Sequence, residues 1–390
     1  MINLDKSTWQ RVKFGDVIRS VTDRVNDPAE AGVERYVGLE HLDPGVLTVQ
    51  RWDDPSKVSA QKLLFEPGDV IFGRRRAYQK KVARADFDGI CSAHALVLRA
   101  IPDKINPDFL PVFLSSDYFL DRAIEISVGS LSPTVNWRDL KVQEFALPPL
   151  KEQKRIADLM WAVERHNQSV EVSIEQTQRA REMLISSALA KMPSTKLVGE
   201  FCTIRSGPSY PASSSHAEPV PGSRPVMGIT NTLPGGIVDI SEVSHVTGLS
   251  DSVQTVDSST LVLIRTNGNR DRIGNVYLPP FGAHGYAVSA FQFLLKAETP
   301  SLREYAYVVL GEKKMQSKMS DGASGTTGLG NLGARWLANQ QVAWSDEPKE
   351  REAVVATSQS LNSAVSSLSD ERSSLDLLRS ALLSSIFGDA

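Results

Sequence analysis

Between Pro149 and Met192 the apolar residues Ile156, Met160, Val163, Val170, Ile174 and Leu184 fall at alternating spacings of three and four, interrupted by Asn167 and Arg181. That spacing is the seam of one long amphipathic helix. Moving 198 residues along the chain gives Val354, Ser358, Leu361, Leu368, Arg372 and Leu382, with Leu375 and Ile386 on the same stripe. The shift is anchored at both ends without a gap: Lys151-Glu152 returns as Lys349-Glu350, and Leu184-Ile185-Ser186-Ser187 returns as Leu382-Leu383-Ser384-Ser385. The pattern therefore predicts two helices of equal length and phase, each about 38 residues or ~57 Å long. A stripe so narrow on a helix so long calls for a partner helix, and the two are expected to pair antiparallel as a coiled coil. Pro148-Pro149 and Pro348 mark the starts, where a missing N–H is harmless, and Met192-Pro193 marks the end of the first.

The segments before the helices echo each other more weakly. Gly15-Asp16 ahead of Ile18-Arg19-Ser20 compares with Gly199-Glu200 ahead of Ile204-Arg205-Ser206, and Arg35-Tyr36-Val37-Gly38-Leu39 compares with the run from Arg224 to Ile229. Short strand-like runs, Asp69–Phe72 and Leu261–Ile264, are each followed at once by arginine. Asn106-Pro107 and Thr299-Pro300 each join a capping residue to a proline and open an apolar helical run. Strands and helices mix without regular βαβ alternation, so each segment is expected to be α+β. The predicted organisation is a globular domain over 1–147, a long helix over 148–192, a second globular domain over 193–345 and a second long helix over 346–390. Antiparallel helices would make this a pseudo-two-fold internal repeat, with two similar domains held at a fixed separation.

Composition narrows the picture. A chain of 390 residues exceeds what one core ordinarily fills. Apolar and charged fractions of 41% and 23% fit an ordinary globular protein. The opening Met1–Lys6 has no apolar run behind a basic start, and no stretch approaches membrane-spanning length, so a cytoplasmic location is expected. Cys91 and Cys202 lack neighbours at metal-ligand spacing and read as buried thiols, and the six histidines are scattered singly. A net charge of -3 argues against a free-standing, nonspecific nucleic-acid binder unless basic residues gather on one face or partners share the phosphate contacts.

Basic residues do gather. Arg74, Arg75, Arg76, Lys80, Lys81 and Arg84 lie within eleven residues that contain no acid, with Tyr78 and Gln79 between them. The cluster is either a solvated hairpin or a surface for phosphate and base contact, where the aromatic can stack and the amide can read adenine. The matching stretch of the second domain holds Arg265, Asn267, Asn269, Arg270 and Arg272, residue types that read guanine and adenine edges. Asn267-Gly268 also suits a plain type I′ hairpin turn. A Gly/Ser/Thr-rich loop precedes each long helix, Val128–Arg138 and Gly322–Asn331, either as a connection or as a phosphate contact.

Catalytic motifs are missing. There is no phosphate-binding G-x-x-x-x-G-K-[ST] loop and no G-x-G-x-x-G after a strand. Leu147-Pro148-Pro149-Leu150 and Leu278-Pro279-Pro280-Phe281 lack the polar residue that a methyltransferase uses to bind its target base. The chain is read as a non-enzyme.

Three stretches carry a family resemblance: Trp9 through Gly15-Asp16-Val17, Glu66–Arg74 with its Gly-Asp-apolar strand, and Leu147-Pro148-Pro149-Leu150-Lys151-Glu152-Gln153-Lys154-Arg155-Ile156-Ala157. Together with the tandem order they resemble the specificity subunit of type I restriction-modification systems. The second copy, Trp344–Arg351, keeps only the Pro, Lys and Glu of the helix entry. The resemblance implies two target-recognition domains that read a split site in double-stranded DNA. It also implies methyltransferase subunits bound along the helices and a motor-nuclease subunit joining them, with S-adenosylmethionine, ATP and Mg belonging to those partners and no cofactor in this chain. A coiled-coil adaptor with solvated basic clusters, or the recognition subunit of another restriction or methylation system, is the alternative.

Overall fold

The computed structural model describes residues 5–325 and 329–388. Met1–Leu4, Thr326–Gly328, which fall within the Gly/Ser/Thr stretch singled out in the sequence, and Asp389–Ala390 therefore lie outside the described residues. Two compact units form, Met1–Ser173 with Leu368–Ala390, and Ile174–Ser367. Both long helices are continuous, over Leu150–Ala190 and Pro348–Phe387, and the division between units falls within each of them.

In the first unit one four-stranded antiparallel sheet runs Ile18–Val21, Leu96–Ala100, Val70–Phe72, Val82–Arg84. Val70–Phe72 is buried throughout because successive side chains enter different cores. Val70 and Phe72 face a large aromatic core, and Ile71 faces a smaller one with Ala83 and Val97. A second sheet, ordered Arg24–Val25, Lys62–Phe65, Gly89–Cys91, Tyr36–Val37, closes the smaller core and ends in a parallel pair. Gln10–Lys13 pairs with Glu144–Leu147, so the start of the domain lies beside the entry to the long helix.

The second unit repeats the strand order of the first sheet and exchanges two strands of the second, since Ser223–Met227, the counterpart of Tyr36–Val37, is interior and Ala287–Val288, the counterpart of Gly89–Cys91, is at the edge. Its sheets are ordered Cys202–Ser206, Gln292–Ala297, Thr260–Ile264, Val276–Tyr277, and Ser215–His216, Ser244–Thr247, Ser223–Met227, Ala287–Val288, the latter again ending in a parallel pair. Ser194–Leu197 pairs with Gln341–Trp344 as its counterpart does. The expected α+β fold, built twice, is what forms. Thr299 caps its helix as its sequence suggests, its Oγ1 accepting from the Leu302 N–H at 3.2 Å.

The larger core of each unit takes in residues of the long helices. In the first unit Phe14, Phe113, Phe119 and Phe145 cluster with ring centroids 5.2–5.8 Å apart in their closest pairs. Ile156, Ala157 and Met160 of one helix and Ile386 and Phe387 of the other are buried among them. In the second unit Ile185 and Val354 enter a core that holds Phe201, Tyr305 and Trp344.

The seam itself differs from expectation. Within the first unit the helices are antiparallel, but several of their cross-links are polar. His166 meets Glu371 at 2.9 Å, Asn167 donates to Asp376 at 2.9 Å, and Arg372 pairs with Glu171 at 3.2 Å. In the second unit Leu184 is 52% exposed while Ile185 is buried, because the globular domain packs on one side of the helix and draws the apolar contact one residue round.

Cys91 and Cys202 are buried thiols, and burial pushes the Cys202 thiol up to about 12. Among the described residues no helix is long and apolar enough to cross a membrane.

Phe387 packs its ring 6.1 Å from Trp9 and 6.0 Å from Phe109. Phe387→Ala is expected to destabilise the first unit by about 3–5 kcal/mol, the range for an emptied aromatic site. Chemical denaturation should show the loss in one transition only.

Candidate nucleic-acid interface

The first basic cluster sits at the tip of the hairpin formed by Val70–Phe72 and Val82–Arg84. Its backbone is constrained. Arg76 and Lys80 adopt left-handed conformations, with φ of 57° and 54°, on either side of a 3-10 turn over Ala77–Gln79 whose Ala77 is buried. Such conformations cost a side-chain-bearing residue about 1–2 kcal/mol and persist only where neighbours over-determine them. The neighbour here is the Gly/Ser loop. The Arg76 N–H donates to the Pro133 carbonyl at 2.7 Å, the Val135 N–H donates to the Arg74 carbonyl at 2.9 Å, and Arg75 Nε donates to Ser132 Oγ at 2.6 Å. The sequence offers the arginines and the loop as separate features, and the fold makes them one surface.

The second unit has the same construction. Thr266–Asn267 pairs antiparallel with Gly330–Asn331, and Arg265 Nε donates to Asn331 Oδ1 at 3.2 Å while its Nη1 donates to Ser206 Oγ at 2.7 Å. The type I′ turn at Asn267-Gly268 does not form, since neither residue has the positive φ that turn requires. Instead Asn267 Oδ1 accepts from the Asn269 N–H, and Asn269 Oδ1 accepts from the Asp271 N–H, so the two asparagines wind the chain into the following turn.

The cations are not equivalent in their surroundings. Arg84 forms ion pairs with Asp86 at 2.9 Å and Asp108 at 2.8 Å and lies 4.1 Å from the Trp161 ring centroid, so it braces the domain. Lys81 donates to the Leu39 carbonyl at 2.6 Å. Arg74 is half-buried, and its Nε has no partner among the described residues. Lys80 holds Asp117 at 2.5 Å in an exposed pair, an interaction weak enough to exchange for a phosphate. Arg75 and Arg76 are exposed, and Tyr78 is 53% exposed beside the half-buried Gln79.

In the second unit Arg270 donates to the Gly325 carbonyl at 2.6 Å, and Arg272 donates to the Thr232 carbonyl. Arg265 also lies 5.0 Å from the Phe293 ring centroid. Their donors are largely spent on the fold. Sequence reasoning did not single out Ser132, Ser206 or Asn331 as the residues that aim these arginines. The only signal was the composition of the loops that carry Ser132 and Asn331.

A model of the type I restriction modification DNA specificity domain matches residues 6–177. The type I restriction enzyme EcoDI specificity subunit of Escherichia coli is 25% identical over 194 residues, which is 47% of this chain and 41% of that protein. The match thus spans about two fifths of that relative's length. The S subunit of a type I restriction-modification system from M. genitalium has 16% identity and a TM-score of 0.57, with 100% of this chain and 99% of that one covered. A chain solved in work on complex assembly and conformational transition of a type I R-M system has 20% identity and a TM-score of 0.61, with 98% of each chain covered. These two likenesses establish a shared fold along the chain.

The division between bracing and exposed cations has a measurable consequence. Arg84→Ala should cost about 1–2 kcal/mol, mostly through the lost cover of the buried Trp161 ring, since both carboxylates it pairs with are exposed. Arg76→Ala should change stability by less than about 0.5 kcal/mol, as an exposed side chain without partners does. Denaturant midpoints of the two variants check the assignment.

Proposed function

We propose, on the match of residues 6–177 to the type I restriction modification DNA specificity domain, that the chain is a DNA-reading specificity subunit whose two units each read one half of a split site. One observation carries the reading: an arginine-bearing strand extension paired to a Gly/Ser/Thr loop occurs in the same topological position of both units. In the first unit Arg75 and Arg76 meet phosphates and set the register of the domain on the duplex. Tyr78 and Gln79 lie between the cations, where an aromatic face and an amide can reach base edges. In the second unit the asparagine Nδ2 groups keep donors for base edges while the arginines hold the loop in shape.

The net charge of -3 fits a chain that shares phosphate contacts with partner subunits. Methyltransferase subunits are assigned to the helices and a motor-nuclease subunit to the complex they form. Bond-making and bond-breaking belong to those partners, along with S-adenosylmethionine, ATP and Mg, and this chain contributes recognition without catalysis.

The test is the salt dependence of DNA binding by the assembled complex. Replacing Arg75 and Arg76 together by Ala should lower the slope of log affinity against log salt by about 0.9 for each phosphate no longer neutralised, or about 2 in all. Unchanged affinity across several salt concentrations, in a folded complex, contradicts the assignment.

A further inference from the structure

Each arginine-bearing extension is paired to a short hairpin, and the two hairpins share a feature that their polar composition hides. In the first unit the backbones of Val128 and Thr134 bond reciprocally, each N–H donating to the other's carbonyl at 3.0 Å. In the second, Ser324 and Asn331 do the same at 3.0 and 2.8 Å. A glycine follows the first paired residue in each, Gly129 with φ of +115° and Gly325 with φ of +120°, a conformation that strains a residue with a side chain. Each loop then carries one leucine and otherwise only glycine, serine, threonine or proline. Leu131 is 92% exposed and Leu329 is 56% exposed.

Both leucines adjoin the contacts that tie the loops to the arginines. Ser132 Oγ accepts from Arg75 Nε at 2.6 Å, and the Pro133 carbonyl accepts from the Arg76 N–H at 2.7 Å. Leu131 therefore sits within two residues of both contacts that aim the exposed arginines. In the second unit Gly330, next to Leu329, pairs with Asn267, and the Gly325 carbonyl accepts from Arg270 Nη2 at 2.6 Å. Phe291 adds a half-exposed ring there, its carbonyl accepting from the Arg265 and Thr266 N–H groups at 3.0 and 3.2 Å. A single exposed leucine is ordinary on a protein surface. Here the exposure recurs in the same hairpin of two copies whose loops otherwise differ in sequence and length.

A duplex offers few partners to such a side chain. Phosphates are charged and base edges are polar, and in the major groove the apolar group is the thymine C5-methyl. Gln79 in the first unit and Asn267 and Asn269 in the second lie beside these hairpins' arginines, and the amides of such residues pair with adenine in that same groove. A leucine inserted between base steps is instead the habit of minor-groove binders.

We propose that Leu131 and Leu329 each cover the C5-methyl group of a thymine, so that each unit selects an A·T pair at one position of its half-site. The inference rests on the DNA-reading function proposed above and names a base which that function leaves open. Arg75 and Arg76 bring the first hairpin to the groove wall, and Leu131, held by its loop, reaches in with little further ordering. The leucine stands three residues before Thr134 in one loop and two before Asn331 in the other. The thymine is accordingly expected at different places in the two half-sites.

The test uses the assembled complex and a duplex that carries its methylated motif. Each thymine of the motif, on either strand, is replaced in turn by deoxyuridine, which removes the methyl group alone. The unsubstituted complex is expected to bind ~3- to 10-fold more weakly at one such position in each half-site, as for one or two methyl groups no longer buried. Leu131→Ala should bind the thymine duplex more weakly by a similar factor and become indifferent to deoxyuridine at one of the two positions while still sensing the other. Leu329→Ala should do the reverse. The proposal is overturned by a half-site without an A·T pair, by variants that bind as the unsubstituted complex does, or by losses that are the same for thymine and deoxyuridine at every position, as insertion between bases gives. Salt dependence of the Arg75→Ala, Arg76→Ala double variant is measured beside them. If its slope falls while the leucine variants fail the test, the thymine contact alone is refuted; if its slope is also unchanged, the DNA-reading function falls with it.

Discussion

Neither globular core closes without the long helices. A helix of 41 residues with a stripe only one or two side chains wide cannot bury itself, and a small α+β domain whose aromatic core lies open on one side cannot remain open. Each supplies what the other lacks. Met160 and Phe387, more than 200 residues apart in the chain, are buried in one aromatic cluster, and Ile185 and Val354 complete another. The apolar packing that matters most along these helices is therefore with the domains as much as with each other. This explains why polar pairs such as Asn167 with Asp376 are tolerated between the helices of the first unit.

That division of labour decides what could be read from sequence. Helix starts, the 198-residue repeat and the caps at Asn106 and Thr299 follow from local spacing, and they were legible because local spacing sets them. The doubled strand order followed only in outline, since register is fixed by partners far along the chain. Leu184 and Ile185 are adjacent on the same helix, and only the domain packed against them settles which is buried. The availability of each arginine was hidden for the same reason. Arg75 is aimed by Ser132 and Arg84 is held by Asp108 and Trp161, residues 57, 24 and 77 positions away, beyond the reach of any window along the chain. Asn267-Gly268 shows the opposite failure, a strong local turn signal overridden when Gly330–Asn331 pairs with the strand.

The duplication is also the source of difference between the units. Keeping the fold required the strands, the side-chain caps on the Gly38 and Gly228 N–H groups and the helix ends, and these persist in both copies. Positions outside that requirement have diverged. The first unit displays exposed arginines around Tyr78 and packs its Leu47 loop on Glu164, whereas the second spends its arginines on its loop and carries Asn362 at the position equivalent to Glu164. On the proposed function, two domains of one architecture with different surfaces would suit two unlike half-sites, because base readout depends on which side chains reach the groove and not on the fold beneath them.

The proposed reading stands or falls on whether the units act as separate readers. The direct measurement is genome-wide sequencing of methylated sites in cells that carry the assembled system, with residues 193–345 of this chain exchanged for the corresponding domain of a relative of different specificity. One half of the methylated motif is expected to change while the other half stays as it was. A change in both halves, or in neither while the complex remains active, would contradict recognition by two independent domains.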